Sequence, residues 1–276
     1  MDKGFMFGLC NMAVVFLPYG GGLGNLIFYH HAAFALSKKL GAPMYINSDY
    51  QDEKRKNIAL YDKIFNHVNF VNRESDILQN KGVMYMEPNY YYDPIDVPAD
   101  TVVFMQGYFQ SYKYFWDCMG DIINQFRTNL GDDFMKKEYD ELRSGEKTVC
   151  VHVRRTDYLS LSDIHPPLPE EYYENALTHV SGRVLVFSDD IGSIKHWDVW
   201  KTRDTIFVDE PDPVRTLWLM SLCDAFVIAN SSLSLNAYLM AKYLRDTPCV
   251  APVKWFGPKG VQFRIDDIVP PGTITL

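Results

Sequence analysis

Short apolar runs alternate with longer amphipathic stretches along most of this chain. Residues 12–17 form the first run and lead into Pro18-Tyr-Gly-Gly-Gly-Leu-Gly24. A brief apolar run bounded by turn residues predicts a buried strand. Positions 25–39 carry apolar residues at helical spacing and stop at Leu40-Gly41-Ala42-Pro43, which predicts a helix with a glycine end. Residues 44–47 predict a second strand and 49–56 a polar loop. The stretch 85–100, rich in Tyr, Pro and Asp, predicts irregular surface. A strand at 101–105 runs into an aromatic turn at 106–116, and 126–146 predicts a polar helix broken at Ser144-Gly145.

The rhythm then repeats. Strands are predicted at 149–153, 183–187, 205–208, 225–229 and 249–253, with helices at 170–180, 213–223 and 233–243 between them. Strands alternating with helices define the α/β class and parallel sheets. The break at Ser144-Gly145 divides the chain into 1–145 and 146–276.

Composition narrows the function classes. With 276 residues and 47% hydrophobic content there is enough apolar material for two such units. A net charge of −8 argues against a non-specific nucleic-acid binder, whose footprint is basic. Five scattered cysteines without a Cys-x-x-Cys pair favour reduced thiols and offer no zinc site. Residues 5–17 behind Lys3 also fit a leader's apolar core, but the glycine loop that follows favours a strand. No stretch is long enough to span a bilayer.

The most informative segment is Val149-Cys-Val-His-Val-Arg-Arg-Thr-Asp-Tyr158. It reads as a buried strand that ends in a histidine and two arginines. Guanidiniums at the end of a central strand are costly unless an anion meets them. The carboxyl ends of strands are where open α/β sheets bind ligands. A surface ion pair with Asp157 is the competing reading. Two other strand ends carry polar clusters, Ser188-Asp189-Asp190 and Asn230-Ser231-Ser232. Each alone could cap a helix. With His152, Arg154 and Asp157 they favour one crevice for a phosphate-bearing nucleotide. The glycine loop, Gly20-Gly21-Gly22-Leu23-Gly24-Asn25, lies between a strand and a helix start and offers free backbone N–H groups. It matches neither the dinucleotide fingerprint nor the P-loop. No Asp-x-Asp triplet exists. Arginine must therefore neutralise charge that a metal would otherwise meet. His30 and His31, on the first helix, are read as packing residues near the loop, with contacts to an acceptor as the alternative. Asn230-Ser231-Ser232 is also a glycosylation sequon, disfavoured at a buried strand end.

These residues resemble the α-1,2-fucosyltransferases of glycosyltransferase family 11. The likeness lies in Gly21-Gly-Leu-Gly-Asn25, His152-Val-Arg-Arg-Thr-Asp-Tyr158, the aromatic segment from Gly107 to Phe115 and Leu168-Pro-Glu-Glu-Tyr-Tyr173. Phe187-Ser-Asp-Asp190, Ala229-Asn-Ser-Ser232 and Ala251-Pro-Val-Lys-Trp-Phe256 continue it in order. Leu26 replaces a usual Gln, Thr156 a usual Gly, and Leu233-Ser-Leu-Asn236 an aromatic run.

The resemblance implies a GT-B-like architecture, with two Rossmann-like halves facing a crevice. The N-terminal half would be the acceptor side and the C-terminal half would bind the nucleotide sugar. It implies GDP-fucose as donor, inversion at the anomeric carbon, no metal and no further cofactor, and a galactose-terminated glycan as acceptor. Arg154 would meet the β-phosphate of the leaving GDP. Gly22, Gly24, Asn25, Ser231 and Ser232 would add donors beside Asn230 and Ser188. His152 with Asp189 or Asp190 would hold guanosine. Asp157 is the candidate base, with Asp163 behind it, or else orients Arg155; a dissociative transition state could need no base. Missing aromatics leave room for another GDP-sugar or acceptor. A binding module without turnover and a dinucleotide oxidoreductase using Asp49 are the rivals from other classes. Without a membrane anchor, the expected setting is the cytoplasm of a bacterial or viral system, near a membrane where acceptors are assembled.

Overall fold

The computed structural model describes residues 12–18, 20–48, 64–65, 69–72, 74–79, 82–98, 100–130 and 132–276. The loop predicted at 49–56 and residues 5–11 of the alternative leader at 5–17 lie outside them. The N-terminal sheet contains β1 (Ala13–Phe16), β2 (Met44–Asn47), β3 (Asn69–Val71), β4 (Val83–Met86) and β5 (Val102–Gln106). The C-terminal sheet contains β6 (Thr148–Val153), β7 (Arg183–Ser188), β8 (Thr205–Val208), β9 (Ala225–Val227), β10 (Cys249–Ala251) and β11 (Ile274–Thr275). Both sheets are parallel throughout, with orders β3-β2-β1-β5-β4 and β11-β10-β9-β6-β7-β8.

These orders place the ligand crevices. In each sheet the winding reverses at one strand: β1, between β2 and β5, and β6, between β7 and β9. Loops leaving such a strand and its neighbour diverge to opposite faces, and the gap at their carboxyl ends is the binding crevice. In the N-terminal sheet that gap is bounded by the glycine loop after β1 and the aromatic turn after β5. In the C-terminal sheet it is bounded by Arg154 after β6, with Ser188 to Asp190 and Asn230 to Ser232 on its flanks.

β6 is buried at every position, as a central parallel strand covered on both faces must be. Its alternation is visible in the packing. Val149, Val151 and Val153 enter one apolar cluster, while Cys150 enters another. That second cluster is continuous from Val14 and Ile27 of the N-terminal half to Trp218 and Tyr238 of the C-terminal half. The helices Leu23–Leu40 and Ser232–Arg245 pack together across this shared core.

Several elements differ from the sequence expectation. The irregular stretch predicted from residue 85 begins inside β4, an edge strand whose Val83, Met84 and Met86 are exposed. β3 and β11 are too short to leave a pattern. The polar helix predicted at 126–146 is two helices, Met119–Leu130 and Asp132–Arg143. The first begins early because Met119, Ile122, Ile123 and Phe126 present an apolar face to the core. His30 and His31 are buried within the aromatic cluster of Phe65, Phe115 and Phe126. Burial pushes the His31 pKa down to about 3 and that of His30 well below its ordinary value, so both are neutral packing groups. Among the described residues no helix is long and apolar enough to cross a membrane.

Candidate active site

The two arginines after β6 part company. The Arg154 side chain lines a cleft between the two sheets and is 32% exposed. One of its terminal nitrogens meets Asp157 Oδ1 at 2.7 Å, and the other meets Asp189 Oδ2 at 3.0 Å. Its guanidinium also lies over the Tyr158 ring, 5.6 Å from the centroid. Arg155 turns instead onto Trp197, 5.5 Å away, so Asp157 holds Arg154 and not Arg155. Asp189 fastens the turn as well. It accepts from the backbone N–H of Arg155 at 2.9 Å and of Thr156 at 3.2 Å, and from the Thr156 hydroxyl. Burial alone would raise the pKa of this carboxyl. The Thr156 hydrogen bond, the Arg154 charge and the Arg155 amide outweigh it and bring the pKa below the ordinary carboxylate value.

His152 sits beneath. Its ring is buried, and Nδ1 lies 2.9 Å from Ser234 Oγ. Burial first, and the Arg154 charge second, lower its pKa to about 4, so the ring is neutral. It braces the first turn of the Ser232–Arg245 helix against β6.

Two helix starts meet at this point. The Leu23–Leu40 helix has Gly22 at its N-cap and the Ser232–Arg245 helix has Ser231, and neither receives a side-chain cap. The leading N–H groups of a helix have no partner within it and carry the positive end of its dipole. Both starts line the cleft, through Gly22 and Leu23 on one side and Ser231 to Leu233 on the other. They approach closely because Gly24 has no side chain. A Cβ there would collide with Ser232 and the backbone nitrogen of Leu233. Asn236 Nδ2 donates to the Gly24 carbonyl at 3.0 Å. Asn25 Oδ1 accepts from Ser232 Oγ and from Gln110 Nε2, each at 2.7 Å.

The cleft has a volume of about 470 Å³. It gathers Gly22, Gly24, Asn25, Arg154, Asp157, Asn230, Ser231 and Ser232 from the residues predicted by sequence. His152, Ser188, Asp189 and Asp190 do not line it. His152 and Asp189 stand behind Arg154 as described. Ser188 Oγ accepts from the Asp190 amide at 3.1 Å, and Asp190 Oδ1 caps a short helix through the Ser193 amide at 3.2 Å. Asn230 is buried and donates to the carbonyls of Pro166 and Trp255, both at 3.0 Å, which occupies the sequon's amide nitrogen. Asp163 is exposed and pairs with Lys259 at 2.7 Å.

The cleft has a second wall for which sequence reasoning assigned no role. Tyr90 and Tyr108 line it from the N-terminal half, their rings 5.7 Å apart. His165 lines it from the C-terminal half, 5.0 Å from Tyr158 and 5.6 Å from Phe256. Burial lowers the His165 pKa. Two of the segments that supply this wall, Gly107 to Phe115 and Ala251 to Phe256, carried the family resemblance in the sequence without a role of their own. A wall of aromatic faces suits the apolar face of a sugar ring. Among the described residues, no group of three or more His, Cys, Asp or Glu could hold a metal ion.

Comparison with known proteins places this geometry. Over residues 56–261 the chain matches the family model "Glycosyl transferase family 11". It is 26% identical over 281 aligned positions to an α-1,2-colitosyltransferase of Escherichia coli, spanning 89% of this chain and 93% of that one. It is 25% identical to the O-antigen biosynthesis glycosyltransferase WbnK of Escherichia coli, spanning 86% of this chain and 93% of that one. Among solved structures, the α-1,6-fucosyltransferase NodZ soaked with GDP-fucose superposes with a TM-score of 0.50 at 15% identity. That alignment covers 83% of this chain and 92% of that one, and it speaks to the GT-B-like fold alone. With a family model matched over most of its length, this chain belongs to glycosyl transferase family 11.

Proposed function

We propose that this glycosyltransferase moves L-fucose from GDP-β-L-fucose to the 2-hydroxyl of a galactose-containing acceptor, with inversion and without a metal. One observation carries the reading: two helix starts without side-chain caps and Arg154 converge on one cleft. Such a site suits a diphosphate, because leading N–H groups and a guanidinium both bind phosphate oxygens. Bond breaking to the sugar builds charge on the β-phosphate. Fixed donors aimed at that charge lower the barrier without reorganising at the moment of reaction.

Arg154, with Asp157 and Asp189, carries one positive and two negative charges. Donor binding therefore shifts Asp157, the more exposed of the two carboxylates, off the guanidinium, and a phosphate oxygen takes its place. The released Asp157 is then free to receive the acceptor's proton. Asp189 stays, keeping Arg154 aimed. Ser188 and Asp190 stand outside the cleft, where Asp190 caps a short helix, so a contact to guanosine from either would need the nucleoside to reach past Asp189. His152, neutral and buried, keeps the serine helix start in place. The sugar acceptor lies against Tyr90, Tyr108 and Phe256.

A second reading, with colitose in place of fucose, is favoured by the colitosyltransferase among the relatives. One panel decides between them. Calorimetric titration with GDP, GDP-fucose, GDP-colitose and NAD, in EDTA, is expected to show binding of GDP and one GDP-sugar only. Product analysis with a galactoside then names the sugar moved. Absence of GDP binding, or a requirement for manganese, would overturn the proposal.

A further inference from the structure

Glu87 stands at the carboxyl end of β4, under the aromatic turn that follows β5. Its Oε2 accepts from the backbone N–H of Tyr108 at 2.7 Å and of Phe109 at 2.8 Å. Its own N–H donates to the Gln106 carbonyl at 2.8 Å, which locks it to β5. The turn is shaped around this carboxylate. A Cβ on Gly107 would strike the Glu87 side chain. Phe109 has φ of 49°, a left-handed conformation that a bulky residue adopts only when its surroundings impose it. The Phe109 ring is buried between Tyr85 and Tyr114. The two residues flanking Phe109, Tyr108 and Gln110, line the cleft, and Gln110 reaches Asn25 on the glycine-loop helix.

We propose that Glu87 is a positioning residue for the acceptor: its carboxylate sets the turn that aims Tyr108, and its protonation loosens the acceptor wall, whereas the GDP site keeps the Asn25–Ser232 and Asn236–Gly24 hydrogen bonds that hold its two helix starts together. This rests on the assignment of Tyr90 and Tyr108 to the acceptor. The chemistry is direct. An ionised oxygen accepting two backbone N–H groups makes charge-assisted bonds, stronger than those to a neutral carboxyl. Burial raises the Glu87 pKa to about 7, with the two amides pulling it down only in part. The carboxylate therefore gains and loses its charge near neutrality. The titratable groups facing it are the phenols of Tyr85 and Tyr114, both kept protonated by burial, with Asp93 beside them. No salt bridge reaches Glu87 among the described residues. Among the described residues, the buried histidines of the core and cleft, His30, His31, His152 and His165, all have lowered pKa values.

The test uses the full chain and Glu87→Gln, which keeps a carbonyl acceptor and cannot titrate. Near-ultraviolet dichroism, reporting on the tyrosines of the turn, is followed from pH 5.5 to 8.5 without substrates. The expected result is a step near pH 7 in the wild type and none in the variant. In turnover, acceptor KM is expected to rise by about three- to tenfold as the wild type passes below that step, the worth of a charge-assisted bond traded for a neutral one. The variant should hold the higher KM at every pH, with GDP affinity equal to wild type. A step that persists in the variant, or no step in the wild type, overturns the role of Glu87 in setting the turn. A step that acceptor KM ignores overturns its role in holding the acceptor. If no fucose is moved at any pH, the functional reading fails, and the dichroism still decides on Glu87.

Discussion

The two walls of the cleft are built in different ways. The wall assigned above to the proposed donor, hereafter the donor wall, is local in sequence. Arg154, Asp157 and Tyr158 leave one strand end, Asn230 to Leu233 leave the neighbouring one, and each cluster runs straight into a helix start. The wall assigned to the proposed acceptor, hereafter the acceptor wall, is assembled from distant pieces: Tyr90, Tyr108, His165 and Phe256 come from four separate loops. One wall holds charge and free N–H groups, the other aromatic faces. A diphosphate needs fixed dipoles at fixed places, which a strand-to-helix turn supplies from a few consecutive residues. A sugar face needs area and shape, which loops can supply in many combinations. The donor wall is therefore expected to behave as one electrostatic unit and the acceptor wall as a sum of contacts.

The largest expected effect concerns the frame that both walls share. His30, His31 and His152 are buried and neutral, with pKa values lowered from 6.5, to about 3 for His31 and about 4 for His152. Well above pH 6.5 they are neutral in both folded and unfolded chains and their titration costs no stability. As pH falls below that value the unfolded chain takes up protons that the folded one refuses, and stability is lost. Each adds to that loss as pH falls from the ordinary histidine value toward its own lowered pKa. Denaturant midpoints measured from pH 7 to pH 4.5 should fall steeply below pH 6.5, and the triple replacement by Asn or Gln should flatten the curve. A flat wild-type curve would remove these histidines from the stability argument.

The donor wall is next. Arg154→Ala should cost on the order of 10²-fold in turnover with folding intact, as loss of an oxyanion-type donor does. Near-normal turnover would mean the guanidinium only braces the turn. The acceptor wall should respond differently. Tyr108→Ala is expected to raise acceptor KM by about three- to tenfold, the worth of one aromatic contact, and to leave GDP affinity alone. A comparable loss in GDP affinity would show that the two walls are one unit, ending the contrast. The smallest effect sharpens the donor wall itself. If Asp157 occupies the phosphate's place on Arg154, Asp157→Asn should bind GDP about threefold tighter, a fraction of a kcal/mol for a half-exposed pair. Its turnover should drop nonetheless. Weaker GDP binding would recast Asp157 as a residue that holds Arg154.

The contrast between the walls also explains what could be read in advance. Arg154, Asp157, Asn230 to Ser232 and the glycine loop were legible because each is a strand end followed by a helix start, and short-range pattern encodes both. The separate destinations of Arg154 and Arg155 could not be read from strand alternation, because both lie past the end of β6 in the turn to the next helix, and which one faces the cleft required the second sheet. Ser188 and Asp190 were legible as polar strand-end residues. Pattern alone could not tell that Asp190 caps a helix or that Asp189 lies behind Arg154. Glu87 was invisible, because β4 is a short edge strand inside a stretch that reads as Tyr- and Pro-rich surface.

By itself the sequence determined the α/β rhythm, the buried central strand at 149–153 and residue types suited to a phosphate, since these depend on periodicity and on neighbours a few positions apart. Only the tertiary structure decided which of them meet. Gly24 against Ser232, Asn25 between Gln110 and Ser232, and Tyr90 beside Tyr108 are contacts across loops and sheets. Their partners are set by strand order and by the packing of one shared core, and neither is written in any local stretch of the chain.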